Sequence, residues 1–420
     1  MTSDDHPHTT TDIRDIPESD LDRALDLAYL AFHLKPADKT RRHHHDLLRE
    51  CARVGAYDGG SLAGMVGAHR LTLSIPGGRL PCSAVDFVSV APTHRRRGVL
   101  TSMLAGLWRR CADEGRPIAC LWASESAIYG RFGFGAATEA YSVEIDSSRP
   151  LALRLAPDAR PLRLIDPADA AEVLAPRYDA TLPHRAGRFT RDRAWWRNEV
   201  LDLDGARSAE DLDGFGALRV VVLGAPGEVP GGYAVYRTRG PGDNRPGAVR
   251  VDELEAESAP AAAALWSYLC SIDLTTKVQI DARPADDPLL YLVADRDQVR
   301  VTGQEPSLWV RLVDVRAALA ARSWASPVDL VIDLGDAALP ANAGRFRLIA
   351  GPGRTTSWSA TTDSPDLALD VRELAACYLG GSPLRRFVHA GLATEHTPGA
   401  VRRLDAALET AWLPFTGENY

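Results

Sequence analysis

The stretch with the clearest chemical capacity is a basic turn, Arg95-Arg96-Arg97-Gly98. It follows an apolar run from Val85 to Val90 and precedes a run with apolar residues at helical spacing. Backbone N–H groups at a helix start lack partners within the helix, and the helix dipole adds positive potential there. Gly98 lets a phosphate approach the backbone, and the arginines offer charge-assisted donors. The stretch therefore predicts a site for a pyrophosphate.

This turn has two alternative interpretations, a solvated helix entrance and a Walker loop. An isolated arginine run is more often a solvated helix entrance, but its position between an apolar strand and an amphipathic helix favours the anion site. A Walker loop is excluded because no Gly-Lys-Ser/Thr follows Gly98.

The elements that must position this turn are visible in the flanking sequence. Ile75-Pro76-Gly77-Gly78 has turn chemistry between two extended runs, which predicts a hairpin. A helix with Ser19 or Asp20 as its N-cap precedes the hairpin, and a helix and a buried strand follow it. The predicted segments are Leu21 to Phe32, Ala63 to Leu73, Ser83 to Val90, Val99 to Cys111 and Ile118 to Ala123.

A second unit, from about residue 150, repeats this layout in degraded form. Gly231 to Thr238 corresponds to the strand Gly64 to Leu71, and Ala248 to Pro260 corresponds to Ser83 to Pro92. The second exit reads Glu257-Ser258-Ala259-Pro260 and has neither the arginines nor the glycine of the first. We therefore expect this copy to bind no phosphate.

From about residue 315 the order of elements changes. A helix, two strands and two further helices are predicted, which is typical of an α+β unit. These segments are Val315 to Ala321, Val328 to Leu334, Arg345 to Ala350, Val371 to Leu379 and Ala400 to Ala411. Trp412 to Tyr420 forms a short tail.

Composition limits the class of protein. A chain of 420 residues predicts two or three domains, and we expect three. A content of 45% hydrophobic and 25% charged residues is typical of a soluble globular protein. The formal net charge of -8 argues against general nucleic-acid binding and is compatible with a cationic ligand.

Membrane and metal sites are not predicted. No apolar run approaches the ~18 residues of a membrane span, and Met1 to His6 is acidic where a signal peptide would be basic, so a cytoplasmic location is expected. The six cysteines include no CxxC pair, which argues against a zinc site or a disulfide framework. We expect them to be small buried hydrophobic residues.

The basic turn resembles the coenzyme A turn of the GNAT acetyltransferases, which reads Arg/Gln-x-x-Gly-x-Gly/Ala after a strand. Leu100 departs from the last position of that motif. It agrees with the Eis (enhanced intracellular survival) family, where Pro-Thr-His-Arg-Arg-Arg-Gly is followed by bulky aliphatic residues. Ala123 to Gly135 and Ser307 to Val315 are similar to that family too.

The resemblance implies a mixed α/β and α+β fold of three parts. An active N-terminal GNAT domain (residues 1–148) would precede a degenerate central GNAT domain (149–300) and an α+β domain similar to sterol carrier protein 2 (301–420). Acetyl-CoA would be the co-substrate, with no metal. A homo-oligomer, a hexamer in this family, is also implied.

By the same resemblance, individual residues receive roles. The backbone of Val88, Ser89 and Val90 would hold the pantetheine arm, and Tyr129 would be the general acid. The phosphates would be held by Arg96, Arg97, Gly98, Val99, Leu100 and Thr101, and the cofactor site would be completed by Ser124 and Glu125. The general base would be the terminal carboxylate, here that of Tyr420, although Glu418-Asn419-Tyr420 replaces a more typical acidic residue followed by phenylalanine.

The chemistry needs two such groups. An ammonium substrate must lose a proton before it attacks the thioester, and the departing thiolate benefits from a proton donor. Tyr129 can donate because the reference pKa of tyrosine is about 10. An ordinary half-buried tyrosine and a frayed C-terminal tail are the structural alternatives for Tyr129 and Tyr420.

Other conspicuous residues have simpler interpretations. Adjacent histidines on a helix point in different directions, so His43-His44-His45 is expected to be a solvated run and not a metal site. Trp195 and Trp196 are expected to pack in the central domain. Phe32 and Phe87 are candidates to line the amine pocket, with core packing as the alternative.

Two functions are consistent with these features. The first is transfer of acetyl from acetyl-CoA to a primary amine of an aminoglycoside-like polyamine or a lysine side chain, the acceptor classes that the resemblance implies. The second is a binding protein that holds an apolar or lipid ligand in its C-terminal domain and keeps a vestigial acetyltransferase core. The intact turn at Arg96 to Gly98 and the presence of Tyr129 favour the first.

Overall fold

The computed structural model describes residues 11–206, 212–242 and 245–418, and these form three β-sheets with helices packed on them. The predicted terminal base, Tyr420, lies outside the described residues. Within the described ranges, no helix has the length and apolar character needed to cross a membrane.

Ten elements form the N-terminal part of the chain. In order they are β1 (Asp12–Asp15), α1 (Leu21–Phe32), α2 (Asp38–Glu50), β2 (Ala52–Asp58), β3 (Ser61–Ile75), β4 (Gly78–Val90), α3 (Val99–Asp113), β5 (Ile118–Trp122), α4 (Ser126–Tyr129) and β6 (Gly135–Ala136). The predicted hairpin is β3 and β4, with Gly77 in its turn at a φ of 83°, a region that favours glycine.

Helix α3 carries the apolar stripe that the sequence predicts. Met103, Leu104, Leu107 and Trp108 are each at most 3% exposed and pack on the sheet. Burial of each such side chain contributes about 1.5–3 kcal/mol before the entropy of ordering is subtracted. This packing fixes the start of α3, and with it the basic turn, at the end of β4.

The central part repeats this arrangement. Its elements are β7 (Glu139–Asp146), β8 (Leu162–Ile165), α5 (Pro167–Asp179), α6 (Arg193–Trp195), β9 (Arg219–Leu223), β10 (Gly232–Arg239), β11 (Ala248–Ala256), α7 (Ala259–Cys270), β12 (Lys277–Pro284), α8 (Leu289–Leu292) and β13 (Val299–Pro306). Their seven-stranded sheet has the order β13-β7-β12-β11-β10-β9-β8. A π-helix, Trp196–Val200, continues α6.

The C-terminal part has a five-stranded sheet in the order β17-β16-β15-β18-β19. Its elements follow β14 (Leu308–Leu312) and are α9 (Val315–Ala321), β15 (Val328–Gly335), β16 (Gly344–Ala350), β17 (Ser357–Ala360), β18 (Leu367–Asp370), α10 (Val371–Cys377), α11 (Leu384–His389), β19 (Ala393–Glu395) and α12 (Ala400–Leu408).

The first two sheets each include a strand from a neighbouring part of the chain. Strand β14 pairs with β5 and with β6, so it completes a first sheet of order β1-β2-β3-β4-β5-β14-β6. Strand β7 leaves the N-terminal part and pairs with β12 and β13. The boundaries after residues 148 and 300 stay a prediction. The first sheet takes β14 from beyond residue 300, and the second takes β7 from before residue 148.

Glycines in the segment after α4 allow the C-terminal part to pack closely. A Cβ on Gly133, which has a φ of 81°, would lie 2.1 Å from the guanidinium of Arg311. A Cβ on Gly135 would lie 2.1 Å from the carbonyl oxygen of Arg372 in α10. Close packing therefore explains the glycines of the Gly-Arg-Phe-Gly-Phe-Gly sequence at 130–135.

The predicted elements agree closely with the observed ones, with α1 and α9 beginning and ending at the predicted residues. Helices α10 and α12 end earlier than predicted, at Cys377 and Leu408. Helix α2 was not among the predicted elements. Its sequence is mostly polar and only Leu48 is buried, so no apolar stripe marks it.

Candidate active site

Strands β4 and β5 separate where the cofactor is expected. They pair in parallel only between Cys82–Ala84 and Ile118–Cys120, although β4 continues to Val90. The Ser89 hydroxyl and the Trp122 indole N–H lie on the diverging ends and are buried, and neither has a hydrogen-bond partner in the described part of the chain. Buried polar groups normally have partners, so this cleft fits a ligand with polar groups, such as a pantetheine arm.

A β-bulge redirects β4 beside this cleft. The register with β3 shifts so that Ser89 faces Met65 but Asp86 faces Gly67. Phe87 in the bulge has a φ of 52°, a left-handed conformation that is strained for a bulky residue. The Asp86 carboxylate accepts the Phe87 backbone N–H at 2.7 Å and so stabilises the bulge. Bulges of this kind are common next to active sites.

The basic turn is exposed and open at the start of α3. Gly98 caps the helix at a φ of 76°, and a Cβ placed there would meet no atom within 4 Å. The Ser102 N–H donates to the Gly98 carbonyl, so the N–H groups of Val99, Leu100 and Thr101 precede the first bond of the helix. These residues fit a pyrophosphate.

The turn is attached to the end of β2. The His94 ring nitrogen Nε2 lies 3.0 Å from Asp58 Oδ2, and the Arg97 guanidinium lies 3.7 Å from the same oxygen. His94 in the Pro-Thr-His-Arg-Arg-Arg-Gly sequence is therefore a positioning group. Arg95 and Arg96 are exposed toward solvent beside it.

Tyr129 ends the short helix α4 below the cleft. It is only 6% exposed, and its ring packs edge-on against Phe134 with centroids 5.9 Å apart. Burial, together with the nearby carboxylates of Asp86 and Glu125, raises the pKa of Tyr129 to about 12. Tyr129 is therefore protonated at neutral pH, as a proton donor must be. Ser124 and Glu125 are exposed just before α4.

A cavity of about 620 Å³ lies between the N-terminal and central parts of the chain. Both predicted pocket residues, Phe32 and Phe87, line it. Asp86 connects it to Tyr129, since Asp86 lines the cavity and acts on the Tyr129 hydroxyl. The cavity therefore shares Asp86 with the electrostatic surroundings of Tyr129, the predicted proton donor.

Acidic side chains dominate the lining of this cavity, which we call the acceptor cavity. It contains five carboxylates and one arginine, Arg250; the carboxylates are Asp86, Glu199, Asp202, Asp252 and Asp281. Arg237 pairs with Asp202 at 3.2 Å and with Asp252 at 3.4 Å, which offsets part of that charge. The remaining excess is negative and favours a cationic ligand.

The prediction of a solvated histidine run is wrong for His43 and His44. Both line the acceptor cavity, His43 at 3.2 Å from Glu199 and His44 at 3.0 Å from the Tyr29 hydroxyl. The contact with Glu199 raises the pKa of His43, whereas burial lowers that of His44. Among the described residues no cluster of three or more potential ligands could hold a metal ion.

The tryptophans and cysteines pack as predicted. Trp196 is 2% exposed and meets Tyr178 edge-on, with ring centroids 5.7 Å apart. Trp195 packs against Phe189. All six cysteines are buried and none is in a disulfide.

The central copy has kept the divergence of the two strands, but charged side chains cross the gap and pair at its end. Strands β11 and β12 pair only over Ala248–Val251 and Lys277–Ile280 and then diverge. Arg283 crosses the gap and donates to the Leu254 carbonyl at 2.9 Å. Glu257, at the position of the basic turn, pairs with Arg160 at 2.5 Å and with Arg177 at 2.6 Å.

Sequence reasoning missed most of the charge in the acceptor cavity. The carboxylates come from β4, the π-helix and the loop after it, β11 and β12, which are distant in sequence. Asp86 alone carried a signal, because a carboxylate within a largely buried strand is uncommon. A larger cavity of about 1060 Å³ lies against α11 and α12 and shares no lining residue with this site.

Comparisons with known proteins identify the domains. Residues 12–137 match the acetyltransferase (GNAT) domain family, residues 187–316 match another acetyltransferase (GNAT) domain family, and residues 315–416 match the sterol carrier protein domain family. The predicted fold, two GNAT units followed by a domain similar to sterol carrier protein, is confirmed.

Whole-chain relatives give the same result. The chain is 40% identical over 419 residues to an uncharacterized N-acetyltransferase of Streptomyces avermitilis, with 96% of this chain and 99% of that protein covered. It is 34% identical over 363 residues to N-acetyltransferase Eis of Mycobacterium tuberculosis, with 84% and 85% covered. Eis1 of Mycobacterium abscessus has a TM-score of 0.84 at 34% identity, over 98% of this chain and 100% of that one. By sequence and fold, the chain belongs to the Eis family of GNAT N-acetyltransferases.

Proposed function

We propose that this N-acetyltransferase moves the acetyl group of acetyl-CoA to a primary amine of a small polycation such as an aminoglycoside-like polyamine. The observation that carries the proposal is the junction at Asp86 and Phe87, where the acidic acceptor cavity meets the cleft between β4 and β5. A carboxylate-lined cavity concentrates ammonium groups beside the thioester. A lysine side chain has the same reactive group and is the second acceptor class.

The residues of the first GNAT unit fit acetyl-CoA in three places. The N–H groups of Val99 to Thr101, which precede the first hydrogen bond of α3, would hold the pyrophosphate with Arg96 and Arg97. The backbone of Val88 to Val90 would pair with the pantetheine arm along the unpaired edge of β4. Ser124 and Glu125 complete the mouth of the cleft.

The proton balance assigns the roles of two residues. The neutral amine attacks the thioester carbonyl carbon, the carbon–sulfur bond breaks, and the Tyr129 hydroxyl supplies a proton to the leaving sulfur. The second proton that the nitrogen loses as it becomes an amide restores the Tyr129 hydroxyl, directly or through water. Before attack, the ammonium gives one proton to a base, for which we propose the Tyr420 carboxylate, directly or through a water. The reference pKa of an α-carboxyl is about 3.3–3.7, so a partly dry site is needed to raise it.

An amine panel tests the function. Purified protein would be incubated with acetyl-CoA and aminoglycosides, linear polyamines and lysine peptides, while thiol release and product masses are followed. We expect acetylation of the polycations with several charges to be fastest. Thiol release with none of these amines, together with binding of a lipid, would favour the binding-protein alternative.

A further inference from the structure

The last described residues are held in the central part of the chain by a buried ion cluster. The side chain of Glu418 is 1% exposed, and its Oε1 accepts from Arg188 Nε at 3.2 Å and from Arg191 Nη2 at 2.9 Å. The Tyr178 hydroxyl donates to the same oxygen. A buried carboxylate without a partner is strongly destabilising, and the three donors around Glu418 offset that cost at this position.

The cluster joins three carboxylates, those of Glu418, Glu253 and Glu255, to two arginines. Burial by itself would raise the pKa of Glu418, but Arg188 and Arg191 hold it below its ordinary value, so the carboxylate is ionised at neutral pH. Arg188 also pairs with Glu255 at 2.7 Å, and Arg191 with Glu253 at 2.6 Å. Because each arginine also pairs with a second carboxylate, removal of the Glu418 charge leaves neither guanidinium without an ion pair.

The tail before Glu418 follows the segment at residues 186–191. The Phe415 N–H donates to the Ala186 carbonyl at 2.9 Å, and the Thr416 hydroxyl donates to the Gly187 carbonyl at 2.6 Å. Gly187 has a φ of 93°, and a Cβ there would lie 2.9 Å from the Phe415 carbonyl. Phe415 and Thr416 are buried, so the tail is packed and not frayed.

The tail docks at the place that corresponds to the cofactor cleft of the first GNAT unit. Phe415 lines a cavity of about 590 Å³ together with the diverging ends of β11 and β12, at Leu254 to Ala259 and Arg283 to Pro284. The C-terminal tail therefore borders the cleft of the central copy.

This docking place is tied to the catalytic unit. The Ser74 N–H at the end of β3 donates to the Arg188 carbonyl at 2.7 Å, and the Thr190 N–H donates to the Thr72 carbonyl at 3.0 Å. On β11, Glu253 of the cluster follows Asp252 of the acceptor cavity. Two residues follow Glu418, and they can span at most about 7 Å.

We infer that the vestigial cofactor cleft of the central domain is a receptor for the C-terminal tail, and that Glu418, held by Tyr178, Arg188 and Arg191, is a positioning residue for the terminal carboxylate. The inference rests on the proposed role of the Tyr420 carboxylate as the base. Glu418 itself does not touch the acceptor in this assignment. Its ion cluster holds the end of the described tail in the central part of the chain.

The test uses the full-length chain with an unextended C-terminus. Glu418→Gln removes the charge with little change in shape, Glu418→Asp keeps the charge, and Glu409→Gln changes an exposed carboxylate in the same segment as a matched control. Two readouts are needed: kcat and KM for both substrates, and the rate at which a carboxypeptidase releases the terminal tyrosine from the folded protein. A chain lacking residues 419–420 gives the activity without the terminal carboxylate.

We expect Glu418→Gln to release tyrosine several-fold faster and to lose about tenfold or more in kcat, since misplacing a reacting group by about 1 Å can lower a rate by about 10²-fold. The KM for acetyl-CoA should not change, Glu418→Asp should recover part of kcat, and Glu409→Gln should match wild type.

An unchanged release rate or an unchanged kcat in Glu418→Gln would overturn the inference, as would full activity of the chain lacking residues 419–420. A wild-type protein without turnover on any amine would refute the proposed function instead. The release rates would then still decide whether Glu418 anchors the tail.

Discussion

At the scale of single residues, Tyr129 is the group whose environment fits proton donation most clearly. Tyr129→Phe should lose about 10²-fold or more in kcat while its affinity for acetyl-CoA is unchanged, because only the hydroxyl is removed. With a pKa of about 12, the hydroxyl stays protonated, so this group should cause no fall in wild-type kcat up to about pH 10. Thiol-release kinetics and calorimetry measure both. The exposed Tyr291→Phe is the control, and near wild-type turnover of Tyr129→Phe would assign the donor elsewhere.

Gly98 is the second residue whose conformation decides a function. Gly98→Val should weaken acetyl-CoA binding by about tenfold, because a left-handed φ costs a side chain about 1–2 kcal/mol and the loop must move to avoid it. Gly98→Asn should bind better than Gly98→Val. Gly115 also has a left-handed φ in open space, at 64°, so Gly115→Val controls for the loss of stability alone. Equal acetyl-CoA affinity for wild type and Gly98→Val in calorimetry would show that the turn at Gly98 does not bind the phosphates.

At the scale of elements, two neighbouring parallel strands diverge in each GNAT unit, but different side chains lie at the two gaps. The first gap, between β4 and β5, is bordered by unpaired polar groups, whereas the second holds Arg283 and ends at the paired carboxylate of Glu257. We therefore expect one acetyl-CoA per chain in calorimetry. A stoichiometry of two would mean that Arg283 moves aside and that the central copy binds the cofactor.

At the scale of the whole molecule, the exchange of β14 into the first sheet makes the catalytic unit dependent on the rest of the chain. A fragment of residues 1–148 lacks the strand between β5 and β6, which exposes apolar surface on both. We expect it to show no cooperative thermal unfolding, while full-length protein does. Differential scanning calorimetry of both proteins is the measurement, and a sharp transition of the fragment would support independent folding.

The tail also acts at this scale, since it joins the C-terminal part to the central one. A C-terminal tag converts the Tyr420 carboxylate into an amide and should nearly abolish turnover with the fold intact, whereas an N-terminal tag should leave turnover unchanged. Circular dichroism and thiol release would compare the two tagged proteins. Similar turnover from both would exclude the terminal carboxylate and favour Glu125 or a water as the base.

The sequence by itself determined the family, the three units and the basic turn, because these depend on neighbours along the chain. Periodicity placed α1 and α3, and glycine and arginine next to a strand predict the anion site at Gly98. The expectation that the central copy binds no phosphate also rests on a local feature, Glu257 and its neighbours. Such features are local and need no knowledge of what packs against them.

Only the tertiary structure decided the acceptor cavity and the docking of the tail. The cavity brings Asp86, Glu199 and Asp281 together from three distant segments, and polar helix α2 carried no stripe that would have placed His43 there. In the sequence, Glu418 is one acidic residue near a chain end. Its contacts with two buried arginines are visible only in the tertiary structure. Contacts between distant segments depend on how the sheets pack, and no local pattern in a single sequence records them.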